Sequence, residues 1–241
     1  MKKIFLVAIA VFTLISCNKN EENSDANVHI IGDVKGLSQG KLYLQKIQDS
    51  ALVILDSIIV NGDSKFESHI KLDSPEMLYL FLDRGQTNSI DNSLPFFAEP
   101  GNIKIETTLK HFFADAKISG SKNHDLWKKF DSINSKFRDQ NLALMEKRLK
   151  NELKPNATTT DSIEKAYKSL LTRKYRYTAH FAATNGNKEI APYLALSEIA
   201  DINTTYLDTI QKSLTPEVAK SKYGKMLNEH IKERKTLEVQ K

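Results

Sequence analysis

The sequence predicts an α+β protein, an N-terminal antiparallel β-sandwich or open barrel followed by a C-terminal helical domain. Three observations predict it. Between Val28 and Gly120, short segments alternate apolar and polar residues and are punctuated by turn residues. After Gly120 the apolar period moves from two toward about 3.6. The charge balance shifts at the same place: residues 27–120 hold 9 Lys/Arg against 12 Asp/Glu, whereas residues 121–241 hold 23 against 15, which marks a boundary near Gly120.

In chain order, Met1-Lys2-Lys3 is a positive start to a run, Ile4 to Ile15, that is apolar except for Thr13. The run is shorter than the roughly 20 residues a spanning helix requires, and its charge-then-apolar order is that of a secretory signal. It ends in Leu14-Ile15-Ser16-Cys17, which resembles the lipobox of bacterial lipoproteins. There an aliphatic residue precedes the cysteine by three, a small residue sits directly before it, and the thiol is acylated before cleavage. An isolated cysteine is ordinarily a buried apolar thiol, but its position directly after the apolar run favours acylation here. The resemblance implies a signal peptide over residues 1–16, a lipid such as palmitate at Cys17, and the lipid bilayer as a partner through acylated Cys17. Residues 17–27 are almost wholly polar and read as a flexible tether. Their Lys-then-acidic order resembles the export signal of some Bacteroidetes surface lipoproteins. The expected location is therefore the cell envelope, anchored at the outer membrane on its periplasmic or its surface face.

Val28–Val34, Lys41–Ile47 and Val53–Val60 are the first three predicted strands of a β domain spanning residues 28–120. Asn61-Gly62-Asp63 supplies the positive dihedrals of a tight hairpin, with Lys65–Leu72 as the expected partner strand. That segment sets Phe66, Ser68, Ile70 and Leu72 on one face and charges on the other. Glu76–Leu82 is almost continuously apolar and reads as a central strand covered on both sides. Phe96-Phe97-Ala98 and Ile103–Thr107 follow, joined through Glu99-Pro100-Gly101-Asn102, where Pro then Gly favours a type II turn. Ala116–Ser119 closes the series.

The helical domain, residues 121–241, opens with Leu126, Phe130, Ile133 and Phe137 at helical spacing, and this helix is expected to run to about Leu153, before Lys154-Pro155. A second helix is expected from Asp161, as its cap, to about Asn185. Shorter ones follow around 191–200 and 206–214. Thr215-Pro216-Glu217 has the hydroxyl, proline and acid of a helix start and opens the last.

Cys17 is the only cysteine in 241 residues, so once acylated it leaves no thiol for an intramolecular disulfide, a dithiol oxidoreductase or a cysteine peroxidase. The six histidines, at 29, 69, 111, 124, 180 and 230, show no metal-ligand spacing. His124-Asp125 is the most suggestive pair, and a helix-start role explains it without chemistry. No Gly-x-Ser-x-Gly, P-loop or Gly-x-Gly-x-x-Gly occurs. Tyr79, Phe81, Phe96, Phe97, Phe112 and Phe113 line either a ligand groove or the core, and their number in a β half of this size favours core. The lysines of the basic half interleave with acids along amphipathic helices, the composition of a solvated face, so nucleic acid is not an expected partner. No cofactor, metal or catalytic residue is expected.

Three stretches carry a family resemblance: Asp56–Phe66, Phe97–Ile103 and Ile118–Trp127. Together they resemble the Bacteroidetes domain of unknown function 4369, and Pro192-Tyr193-Leu194 with Ser221–Leu227 resembles the region that follows it. In that family the pair commonly precedes a thioredoxin-like domain with a Cys-x-x-Cys site, which is missing from this sequence. The expectation is thus a non-catalytic, lipid-anchored envelope protein acting as a binding or scaffold module. The alternative is an accessory subunit to a thioredoxin-like or peroxiredoxin-like redox partner in the envelope.

Overall fold

Alternation of apolar and polar side chains lets a strand bury one face and wet the other, and a strand apolar on both faces is covered on both; eight strands of these two kinds form the N-terminal half of the described residues. In the computed structural model, which describes residues 25–85 and 89–239, they are β1 (Val28–Lys35), β2 (Gln39–Gln48), β3 (Ala51–Asn61), β4 (Lys65–Ile70), β5 (Glu76–Asp83), β6 (Ser93–Ala98), β7 (Gly101–Thr108) and β8 (Lys117–Ser119). Cys17 and most of the 17–27 tether lie outside the described residues. The strands form two four-stranded sheets, ordered β4-β1-β7-β8 and β3-β2-β5-β6. Their inner faces share one core. Val28, Ile30 and Val34 of β1 with Ile103 and Ile105 of β7 meet Leu42 and Leu44 of β2, Leu78, Leu80 and Leu82 of β5 and Phe96 of β6. Six helices follow, as the α+β prediction requires.

The pairing is antiparallel with one exception. β7 lies parallel to β1, in register Val28↔Gly101 to Lys35↔Thr108. The chain completes the whole second sheet except for one visit to β4 before it returns, so β7 enters beside β1 from the same end; the Gly101 amide bonds to the Asn27 carbonyl at 2.9 Å and fixes that entry.

The expected hairpin at Asn61-Gly62 is not one. β3 pairs with β2 and β4 pairs with β1, so this turn carries the chain from one sheet to the other. Gly62 does adopt the positive dihedral, φ +91, but its amide donates to Ser38 at 2.7 Å and the Val34 amide to Ser64 at 2.9 Å, which ties the turn to the β1–β2 loop instead. The tight two-residue hairpin lies at Asp49-Ser50, flanked by the Gln48↔Ala51 pair. Both residues hold positive φ, 49 and 67, the requirement of a type I′ turn, met without glycine. Ser68, predicted on the inner face of β4, is buried there and donates to Asp56 of β3 at 2.5 Å, so the polar residue in an apolar row bridges the two sheets.

The helices are α1 (Lys122–Leu153), α2 (Ala157–Thr184), α3 (Ile190–Glu198), α4 (Thr204–Ser213), α5 (Pro216–Lys220) and α6 (Lys222–Val239). α2 starts one turn earlier than Asp161. Asn156 Oδ1 accepts the Thr159 amide at 3.0 Å and is the cap, while Asp161 pairs with Lys165 at 2.7 Å. The Thr215 cap accepts the Val218 amide as predicted, at 3.4 Å, but what reads as one last helix is two. At Ser221 the backbone is extended, φ −65 and ψ 170, and its hydroxyl donates to Val218 at 2.7 Å while accepting the Gly224 amide at 3.3 Å. α2, α3, α4 and α6 enclose a second core around Ala182, Ala195, Leu207, Ile210 and Leu227.

Gly120, between β8 and α1, has φ +97, and a methyl group there overlaps the Asn102 carbonyl, whereas a methyl at Gly62 meets nothing within 4 Å. Gly120→Ala should therefore cost about 3 kcal/mol, from strain plus overlap, and Gly62→Ala about 1 kcal/mol, from dihedral strain alone. Urea titrations of the two variants check the ordering; equal losses would contradict it.

Candidate functional site

The helical layer sits on the outer face of the sheet β3-β2-β5-β6. A strand covered on both sides must be apolar on both, and β5 is: Leu78, Leu80 and Leu82 face the sandwich core, while Met77 and Tyr79 face the helices. Phe97 of β6 stands beside them, edge-on to Tyr193 of α3 at 5.5 Å and to Tyr223 of α6 at 6.0 Å. Phe130 of α1 and Ile190 and Leu194 of α3 complete this cluster. The Met77 amide donates to the Tyr223 hydroxyl at 3.1 Å. Burial pushes the Tyr223 phenol well above its ordinary range and Tyr193 up to about 12, so both stay neutral hydrogen-bonding groups.

The six aromatics singled out in the sequence thus divide. Phe96 and Phe112 are sandwich core, Tyr79 and Phe97 belong to the sheet–helix contact, Phe81 stacks on Tyr43 at 6.4 Å, and Phe113 is exposed. They do not gather into one groove.

At the edge of this contact lies a polar junction. Asn123, fully buried, donates its side-chain amide to Glu99 at 2.6 Å and to Glu189 at 2.9 Å, and its carbonyl accepts the Ile190 amide at 2.9 Å. Glu99 also accepts the Lys122 amide at 2.6 Å. The next residue, His124, is buried with its amide capped by Ser121 at 3.0 Å, its Nδ1 facing the Phe97 amide at 3.4 Å and its ring against Trp127 at 5.5 Å. Burial, reinforced by the Lys128 charge, holds the imidazole down to about 4. Asp125 is exposed, whereas the His124 ring is turned toward Phe97 and Trp127.

Two constellations escaped sequence reasoning because their members are far apart in the chain. His29 and His69 are directly opposed across β1 and β4, with Nδ1 atoms 2.7 Å apart and His69 Nε2 2.8 Å from Glu67, on an exposed sheet face. Among the described residues no group of three or more His, Cys, Asp or Glu is placed to hold a metal. The other is a cleft of about 470 Å³ where the β4–β5 loop meets the α5–α6 corner. Lys46, Lys71, Lys220, Lys222 and Lys225 line it, against Asp73 and Glu76. Glu76 is buried and pairs with Lys222 and, at 3.8 Å, with Lys46. A clue existed in the sequence, a glutamate in the apolar row Glu76–Leu82, since a buried acid requires a cation nearby.

Two predictions follow from the junction. Asn123→Leu takes from the Ile190 amide and Glu189 the partner that Asn123 gives them and from Glu99 one of its donors, and should destabilise by about 3 kcal/mol, read by urea denaturation. For His124, the unfolded ring binds a proton near pH 6.5 and the folded one only near 4. Its contribution to stability is therefore full above about pH 6.5 and falls, by up to about 3 kcal/mol, as pH drops through that window. His124→Gln should flatten the dependence of the denaturation midpoint on pH between 6.5 and 4; an unchanged slope would refute the assignment.

Comparison with known proteins adds one finding about the fold unit that carries this junction. No match is found among the curated proteins. Residues 28–127, which span all eight strands and the start of α1 through Trp127, match the family model described as Domain of unknown function (DUF4369).

Proposed function

We propose that this protein is a lipid-anchored component of the cell envelope, held through acylated Cys17, and that its sandwich and helical layer form a non-catalytic binding or scaffold module. The observation that carries the reading is Cys17 itself, the sole cysteine, placed directly after a signal-like apolar run in the order Leu-Ile-Ser-Cys. Two further features support it. Polar groups between the layers, the buried Asn123 amide and Tyr223 hydroxyl and the half-buried Glu99, are engaged in joining strands to helices. The first described residues are also anchored, Asn27 exchanging two hydrogen bonds with Leu72 at 2.8 and 2.9 Å, which gives a rigid body at the end of the tether.

The resemblance to a family whose members commonly precede a thioredoxin-like domain motivates a second reading, an accessory role to a separate thioredoxin-like or peroxiredoxin-like chain in the same envelope. Mild cross-linking of membranes followed by purification should then bring down such a chain, and its repeated absence counts against this role alone.

Anchoring has its own test. Cells expressing the wild-type chain and fed an alkyne-bearing fatty acid should label it, and Cys17→Ala should remove the label entirely and leave the longer precursor. Continued labelling of Cys17→Ala would overturn the proposal.

A further inference from the structure

We propose that the lysine-lined cleft at the β4–β5 loop and the α5–α6 corner binds the phosphate group of an anionic ligand, and that the headgroups of membrane lipids supply it. The lipid source rests on the anchoring reading above, whereas the preference of the cleft for phosphate does not.

The cleft holds five lysines drawn from three distant stretches of chain: Lys46 from β2, Lys71 from the strand end after β4, and Lys220, Lys222 and Lys225 from the corner. Its two lining acids, Asp73 and Glu76, and Asp25 on the rim beside Lys71 leave a surplus of two positive charges. Glu76 is occupied by Lys46 and Lys222, and Lys71 reaches Asp25 at 3.3 Å. Lys220 and Lys225, both exposed, pair with no carboxylate among the described residues. Neutral donors stand with them. The Ser74 hydroxyl accepts the Lys222 amide at 3.2 Å and keeps its own hydrogen to give, and the Gln48 side-chain amide is exposed on the same rim. Ammonium groups and hydroxyl or amide hydrogens converging from several sides match a tetrahedral phosphate, whose oxygens accept in several directions, better than a planar carboxylate.

The position of the cleft supplies the source. Asp25 sits on its rim, and Asn27 is bonded to Leu72 in its wall. Cys17 lies only eight residues before Asp25, so covalent geometry keeps the rim within about 30 Å of the acylated residue. That reach allows the cleft to touch the headgroup layer, which it must do, because charge attraction fades within about 8 Å at physiological salt.

The test is lysine footprinting of the full, acylated protein reconstituted in vesicles, with an amine-acylating reagent read by mass spectrometry. In vesicles containing phosphatidylglycerol, labelling of Lys220 and Lys225 should fall roughly five-fold each relative to pure phosphatidylcholine, the effect of one lysine engaging an anionic surface. Lys147 and Lys154, exposed on the far part of α1 and the turn after it, should label equally in both. A third arm adds inorganic phosphate to the phosphatidylcholine vesicles: protection of the same two lysines there assigns the cleft to free phosphate as well, and protection in the anionic vesicles alone assigns it to headgroups. Lys220→Gln, whose side chain makes no ion pair among the described residues, should weaken binding roughly five-fold in the protecting arm, read as lost protection of Lys225, and Lys225→Gln should do the same, read at Lys220. No protection in any arm, or equal protection of Lys147 and Lys154, overturns the proposal. Flotation with pure phosphatidylcholine vesicles requires the lipid and not the cleft, and so reports on anchoring separately.

Discussion

The arrangement of this protein depends on one buried amide, that of Asn123. A primary amide removed from water must find partners for its hydrogens and its oxygen, or its burial costs several kcal/mol. Here the partners come from three places: Glu99 in the turn between the two sheets, Glu189 just before α3, and the backbone amide of Ile190 that begins α3. Satisfying one side chain therefore fixes where α1 leaves the sandwich and where α3 lies against it. The neighbouring Gly120 permits the approach, since its positive φ and missing side chain let the chain pass against the Asn102 carbonyl.

Around that polar point the contact is apolar and aromatic. Phe97, Tyr193 and Tyr223 meet edge-on within 5.1 to 6.0 Å, an arrangement that places ring edges against ring faces. The Tyr223 hydroxyl reaches the backbone of β5, so α6 is tied to the sheet by direction as well as by area. Beyond this contact α1 and α2 extend away together, and Leu142, Met145, Leu149 and Leu153 of α1 remain exposed. The layer is thus firmly seated at one end and open to solvent at the other.

Much of this architecture was legible because local periodicity reports which face of an element is buried. Each of the eight strands overlaps a segment that the apolar pattern marks, although β6 begins at Ser93 and not at Phe96, and β4 buries Phe66, Ser68 and Ile70 as its alternation requires. The misreadings share a cause. Asn61-Gly62 has the right dihedral chemistry for a hairpin, but a turn signal specifies a reversal of the chain and not the strand that will lie alongside. Asp49-Ser50 carries no glycine to mark it as a tight turn, although the long β2–β3 ladder holds both residues in the left-handed region. Asp161 has capping chemistry, but Asn156 stands one turn earlier and captures the amides first. The break at Ser221 is a tertiary effect: α6 must turn to bring Tyr223 onto β5.

The sequence by itself determined the order of elements, the faces they bury and the lipobox-like Leu14–Cys17, because each of these is written in neighbouring residues. Only the tertiary structure decided the parallel placement of β7 on β1, the opposition of His29 and His69, and the meeting of Lys46 and Lys71 with Lys220, Lys222 and Lys225. Those depend on which surfaces cover one another, and the reason is physical. The hydrophobic effect that drives burial is non-directional, so the choice of partner falls to a few buried polar groups, Asn123 first among them, whose satisfaction requires residues from distant parts of the chain.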